Sequence, residues 1–388
     1  MPSLTATDHS TDPPFDIVKT YLSLLESDPD LTMPVAAIES LVLALSAHQS
    51  STISETLSLL ERLTSDLKAA IPNPISLSAG TDLFQRYLIT SLNRPTTSSS
   101  SGSGSGPGSS GGADFDTVRS HLLSNGRLFV TRAKAARQQI ASFGRHFVRD
   151  STTILTNGGS RVVSALLRSA AEDASPGGLG GSVRFRVIWV LPASASASTS
   201  STSASTQSVT EGSATIKALR AKGVPVATIP ESAVAYAMGE VDIVLVGAEG
   251  VVENGGVVSR LGTYQMGMLA KMCGKGFYVV AESHKFVRLY PLGQWDLGIE
   301  QGVVEFVSGV GGGEEGGDGG KGDGTADLGV GEKQAGESEK SKGEGKKGTR
   351  SLRDAVDFTP PNLISGIITE SGVLTPSAVS EELIKIWF

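Results

Sequence analysis

Hydrophobic positions along this chain follow two different periods, and the change falls near Ser151. Upstream of it, apolar residues recur at three- and four-residue spacings, the pattern of helices that bury one face. In FDIVKTYLSLLESD, Phe15, Val18, Tyr21, Leu22 and Leu25 share such a face. AAIESLVLALSAHQ, TISETLSLLERLTSDLKAAI and SAGTDLFQRYLITSL carry the pattern to residue 92, and FDTVRSHLLSNGRLFVTRAKAARQQIASFGRHFVRD resumes it as far as Asp150. Residues 15–150 are therefore expected to form an α-helical domain.

From Ser151 on, short apolar runs alternate with amphipathic ones. TTILT, VRFRVIWVL, VPVATIP, DIVLVGAEG and FYVVAES read as strands, VEFV as an extension of the sheet, and IITE as a further strand near the carboxyl end. Between them SRVVSALLRSAAED, ATIKALRAKG, SAVAYAMGEV and YQMGMLAKMCGKG read as helices, with another closing the chain. The nearly unbroken apolar run of VRFRVIWVL suits a strand covered on both faces. Repeated strand–helix alternation predicts an α/β fold in which the helical domain is followed, over residues 151–388, by a Rossmann-like, doubly wound parallel sheet.

Composition breaks this picture in three places. TTSSSSGSGSGPGSSGG, within a Gly/Ser-rich linker over residues 96–113, the Ser/Ala run at 193–208, and a Gly-rich charged run at 309–350 hold too few apolar groups to fold, and read as solvated insertions. Residues 1–14 are expected to be disordered as well. The net charge of −7 and a pI near 5.4 argue against a general nucleic-acid binder, which needs a basic stripe. A single cysteine, Cys273, excludes a disulfide framework and a cysteine-based zinc site. His9, His48, His121, His146 and His284 are scattered without ligand spacing, so no metal is expected. The amino terminus lacks the pattern of a secretory signal, and no run approaches the ~20 apolar residues that span a membrane. A soluble, cytosolic protein is the expectation.

In doubly wound sheets ligands gather beyond the carboxyl ends of the strands. Asn157-Gly158-Gly159-Ser160-Arg161 links the first strand to the first helix, where free amides, the helix dipole and Arg161 would hold a phosphate. A plain glycine turn with a serine cap reads equally well. Glu249 follows an apolar strand and would serve as a base or grip a sugar hydroxyl, with Asn254 in the tight turn after it. Arg260 and Thr263 add phosphate ligands before the next helix, and Lys285 follows the FYVVA strand beside Ser283 and His284. The stiff Phe358-Thr359-Pro360-Pro361-Asn362 loop would shape a wall. No GxGxxG follows the first strand and no GxxxxGK[ST] occurs, so dinucleotide and ATP-type cradles are unsupported and no cofactor is expected.

Taken together, GAEGVVENGGVVSRLGTYQMGMLAK, FYVVAESHKFVRLYPL and VDFTPPNLISGIITESGVLTPSAVSEELIKIW resemble the alpha-type subunits of eukaryotic translation initiation factor 2B. PVAAIESLVLAL, ISLSAGTDLFQRYL and ASFGRHFVRDSTTILTNGGSRVV are similar to the helical part of the same family. The resemblance implies a non-catalytic regulatory subunit of the guanine nucleotide exchange factor for initiation factor 2. Its homodimer would join the beta, gamma, delta and epsilon subunits into a decamer and help sense initiation factor 2 phosphorylated on its alpha subunit. For that sensing, the helix with Arg127, Arg132, Lys134, Arg137 and Arg145 supplies candidate cations.

The wider superfamily contains isomerases of methylthioribose 1-phosphate and ribose 1,5-bisphosphate, which carry a catalytic Cys in the turn after the first strand and a catalytic Asp in a GAD motif. By motif, those positions fall at Gly158 and Glu249. An Arg-bearing segment that the isomerases place after their second strand is replaced by the Ser/Ala insertion. The resemblance thus implies a pocket that holds a sugar phosphate or nucleoside monophosphate without turnover; an active aldose–ketose isomerase is the rival reading.

Overall fold

The computed structural model describes residues 15–28, 31–48, 52–93, 111–173, 185–192, 212–304 and 355–387. The three expected insertions fall outside these residues, except that Gly111–Ala113 already belong to a helix. The disordered terminus expected at 1–14 and all but the first residue of VEFV also lie outside them.

Among the described residues five α-helices precede the sheet: α1 (Ile17–Ser27), α2 (Met33–Ala47), α3 (Ile53–Ala70), α4 (Ile75–Asn93) and α5 (Gly111–Gly144). Their starts follow ordinary capping chemistry. Asp16 accepts from Lys19 N at 3.0 Å, Thr52 from Glu55 N at 3.2 Å, and Asn73 Oδ1 from Ile75 N at 3.2 Å. α2 is buried almost all round, and Ile38, Leu41 and Leu45 pack with Leu60, Leu67 and Phe84 of its neighbours. α2 and α4 approach closely where Gly80 meets Pro34; a Cβ on Gly80 would lie 2.6 Å from Pro34 Cβ.

The sheet strands are β1 (Thr153–Asn157), β2 (Arg186–Leu191), β3 (Val226–Pro230), β4 (Ile243–Gly247), β7 (Gly276–Val280), β10 (Gly366–Thr369) and β11 (Gly372–Leu374). They stand in the order β11-β10-β7-β4-β1-β2-β3, parallel except for the antiparallel β10–β11 hairpin. Helices α6 (Arg161–Asp173), α7 (Ser213–Ala221), α8 (Val234–Ala237) and α9 (Thr263–Met272) occupy the crossovers, and α10 (Val379–Trp387) closes the chain. The expected Rossmann-like, doubly wound α/β sheet is present, with its order reversing between β1 and β4.

A second sheet was not anticipated. β5 (Gly250–Val252), β6 (Val257–Arg260), β8 (Phe286–Val287) and β9 (Val356–Thr359) form it in the order β8-β5-β6-β9. Phe358 and Thr359, expected to begin a loop, end its last strand. The reason is two-sided burial: Val251, Val257 and Phe286 face the core of the large sheet, while Val252, Val258, Val287 and Phe358 pack on Ile75 and Ala79 of α4. The small sheet is thus a wedge that seats the amino end of α4. The described helices and sheets up to Ile299 and from Val356 on make one compact unit.

Candidate functional site

β1 and β4 end side by side at the reversal point, and a cavity of ≈ 170 Å³ opens beyond them. Its floor is the turn after β1. Gly158 takes φ +67°, a left-handed conformation that disfavours a side chain, and Ser160 caps α6 by accepting from Val163 N at 3.4 Å. Gly247 at the end of β4 has no room for a Cβ, because Ser160 fills that space.

Eight of the ten expected site residues line this cavity: Asn157, Gly158, Gly159, Ser160, Arg161, Glu249, Arg260 and Lys285. Thr263 does not. It is fully buried, where its hydroxyl accepts from Asn157 Nδ2 at 3.0 Å and donates to Arg260 O at 2.6 Å. It therefore positions two lining residues rather than meeting a ligand. Asn254 lies outside the site altogether. Its amide donates to Pro291 O at 2.8 Å and its Oδ1 accepts from Gly256 N at 2.9 Å, so it shapes the β5–β6 turn.

The opposite wall belongs to the helical layer. Thr32, Met33 and Pro34 at the start of α2, and Ser76 in the first turn of α4, line the same space. Three helix amino ends, those of α2, α4 and α6, meet there, each carrying partial positive charge. Arg161, Arg260 and Lys285 add full charges against the single carboxylate of Glu249. Such a lining has the chemistry to suit an anion that also carries hydroxyls.

Buried ionic groups support it from beneath. Lys285 Nζ donates to Ala248 O at 3.0 Å and pairs with Glu282 at 3.0 Å, while Arg137 from α5 stands 3.8 Å from the same carboxylate. Burial alone would raise the pKa of Glu282, but the Lys285 charge and its hydrogen bond overcome that and hold it at about 2. His284, equally buried, is pushed down to about 4 by desolvation and is neutral; its Nε2 lies 3.4 Å from Thr32 Oγ1. Across the site Asp357 Oδ2 accepts from Gly262 N at 2.7 Å and Tyr264 N at 3.0 Å, capping α9, while Oδ1 has no partner. Desolvation lifts its pKa to about 7. Burial also lifts Tyr21 to about 12 against the pull of nearby Arg161.

Sequence patterns carried no signal for Thr32, Ser76 or Asn73. Thr32 and Ser76 reach the cavity, and Asn73 reaches Glu249, through the packing of α2 and α4. Of the five basic residues considered as phosphoserine readers, Lys134 faces Glu39 at 3.6 Å and Asp28 at 3.8 Å, and Arg137 is turned towards Glu282. Among the described residues no cluster of His, Cys, Asp and Glu has metal-site geometry, and no helix is long and apolar enough to cross a membrane.

The model of the initiation factor 2 subunit family matches residues 26–376. The chain belongs to that family. Within it, this member is 32% identical over 374 residues to translation initiation factor eIF2B subunit alpha of Dictyostelium discoideum, covering 96% of each chain. It is 27% identical over 193 residues to ribose 1,5-bisphosphate isomerase of Archaeoglobus fulgidus, covering 50% of this chain and 55% of that one. The crystal structure of eIF2B beta from Chaetomium thermophilum shares the fold, with a TM-score of 0.61 at 15% identity over 96% of this chain and 92% of that one.

Proposed function

We propose that the chain is a non-catalytic, alpha-type regulatory subunit of the guanine nucleotide exchange factor for initiation factor 2. It acts in the cytosol as a homodimer that joins the beta, gamma, delta and epsilon subunits into a decamer and helps sense initiation factor 2 phosphorylated on its alpha subunit. Its cavity holds a sugar phosphate or nucleoside monophosphate as an effector. One observation carries the regulatory reading over the isomerase one: the turn residue that resembles the isomerases' nucleophile position is Gly158, held at φ +67° on the cavity floor. A glycine there offers neither thiolate nor proton donor. The 96% mutual coverage at 32% identity with an alpha subunit, against 50–71% of this chain at 23–27% identity for three ribose 1,5-bisphosphate isomerases, favours the same reading. Cys273 is exposed beyond the far end of α9 and does not line the cavity.

Sedimentation of the purified chain, alone and mixed with the other four subunits, tests the assembly. A dimer that merges with them into a roughly doubled complex is expected, and a monomer that leaves them unchanged overturns it. Turnover of ribose 1,5-bisphosphate or methylthioribose 1-phosphate at an enzymatic rate would establish the isomerase instead. Calorimetric titration with ribose 5-phosphate, against Arg161→Ala, tests the cavity.

A further inference from the structure

Behind the anion cavity, a second and larger depression of ≈ 680 Å³ lies between α4, α5 and α10. Its size is that of a small-molecule site, for which ~300–1,000 Å³ is usual. We propose that it binds a nucleoside phosphate, with the planar base against the α4–α5 wall and the phosphate at the rim.

The lining separates into parts that suit the two halves of such a ligand. Tyr87 of α4 and Phe129 of α5 supply the apolar wall, their rings tilted at 46° with centroids 6.3 Å apart. Aromatic faces accept a planar base by stacking whatever its identity. Arg86 and Arg132 flank those rings, and Lys385 of α10, itself 3.2 Å from Glu382, joins the lining together with the carboxylate of Glu370. Glu370 accepts from Ser283 N at 3.1 Å and from the Ser283 hydroxyl, which hold it against the 283–285 loop; its one charge stands against three cations in the lining.

The deep end holds a built polar group. His284 is 3% exposed yet lines the depression, and its one hydrogen-bonding contact, to Thr32, uses Nε2. A neutral imidazole has one donor and one acceptor nitrogen, which leaves Nδ1 for the edge of a base. A phosphorylated peptide would use the cations but has no call on a stacking wall and a buried imidazole.

The two sites share a loop. Ser283 and His284 face the larger depression, Lys285 faces the anion cavity, and Thr32 of that cavity touches His284. A ligand in either site therefore acts on the residues of the other, and any change in affinity is equal in both directions.

Equilibrium dialysis of the full chain with radiolabelled AMP tests the proposal, run with excess ribose 5-phosphate to fill the cavity. AMP is expected to remain bound, to bind at least about tenfold more weakly to Arg132→Glu, whose position is exposed, and to bind more tightly than adenosine. Full displacement of AMP by ribose 5-phosphate, or equal affinity of Arg132→Glu and the unaltered chain, overturns it while leaving the cavity's own reading intact. So does Arg132-dependent binding of a phosphoserine peptide in the absence of any AMP binding. Loss of ribose 5-phosphate binding alone would instead count against the cavity.

Discussion

Asn73 donates its side-chain amide to Glu249 Oε2 at 2.7 Å, joining the segment ahead of α4 to the segment after β4. The same residue accepts from Ile75 N through Oδ1, so one side chain both caps a helix and clasps the helical layer to the sheet. Glu249 thereby enters the cavity with one oxygen already engaged and its orientation set.

Replacing Asn73 by Ala removes cap and clasp together, and stability should fall by about 1–2 kcal/mol in urea unfolding. Asn73→Asp separates the two roles. It preserves an acceptor for Ile75 N but sets a carboxylate against Glu249, so its stability deficit should grow as pH rises through the carboxylate range. A deficit that stays flat with pH would mean that the clasp is unimportant.

Asp357 makes a pH dependence of definite sign. Its folded pKa near 7 lies above its ordinary value of 3.8, so folding takes up a proton between those limits. The stability it contributes is complete below about pH 3.8 and is lost as pH rises through about 7. Asp357→Asn keeps an oxygen for Gly262 N and Tyr264 N and cannot ionise. Urea midpoints at pH 5 and pH 8 should therefore drop less between the two in this variant than in the unaltered chain.

Glu282 and His284 work in the opposite direction. The imidazole, lowered to about 4 from 6.5, contributes stability that is present above pH 6.5 and lost as pH falls through about 4. The Glu282 carboxylate, lowered to about 2 from 4.5, adds stability that is present above pH 4.5 and lost as pH falls towards 2. Glu282→Gln removes the buried counter-charge that Lys285 pairs with at 3.0 Å, and a loss of about 3–5 kcal/mol at pH 7 is expected by chemical unfolding. An effect below about 1 kcal/mol would show that this cation is better solvated than its burial indicates.

At Gly158, any side chain must accept the left-handed region, at about 1–2 kcal/mol. Gly158→Cys in a Cys273→Ser background should therefore fold with reduced stability and place its thiol on the cavity floor. Ribose 5-phosphate should slow alkylation of that thiol. Equal rates with and without the sugar phosphate would remove this turn from the binding site.

Much of this arrangement was legible beforehand, for reasons that the same residues explain. Tyr21, Leu25 and their spacing mark a helix because the helix period is imposed locally, although Leu22 of the same pattern turns out to be exposed; VRFRVIWVL marks a covered strand because its apolar run is unbroken. Asn157–Arg161 was readable because a glycine turn before a helix announces its own geometry. The small sheet was not, since strands as short as Gly250–Val252 and Phe286–Val287 have no room to display a period, and both of their faces are buried. Asn254 looked like a ligand because turn-forming and ligand-binding asparagines are written alike. Thr32, Asn73 and Ser76 stayed hidden because what places them is the fit of α2 and α4 on the wedge, a property of packing rather than of neighbours in the chain.

The cavity draws its walls from Thr32 at one extreme and Lys285 at the other. A ribosome making this protein must extrude the whole intervening stretch before the cavity can exist, and long-range closures of this kind are slow. Any molecule that fits the cavity would then meet it late, among chains already collapsed, and not at their first contacts.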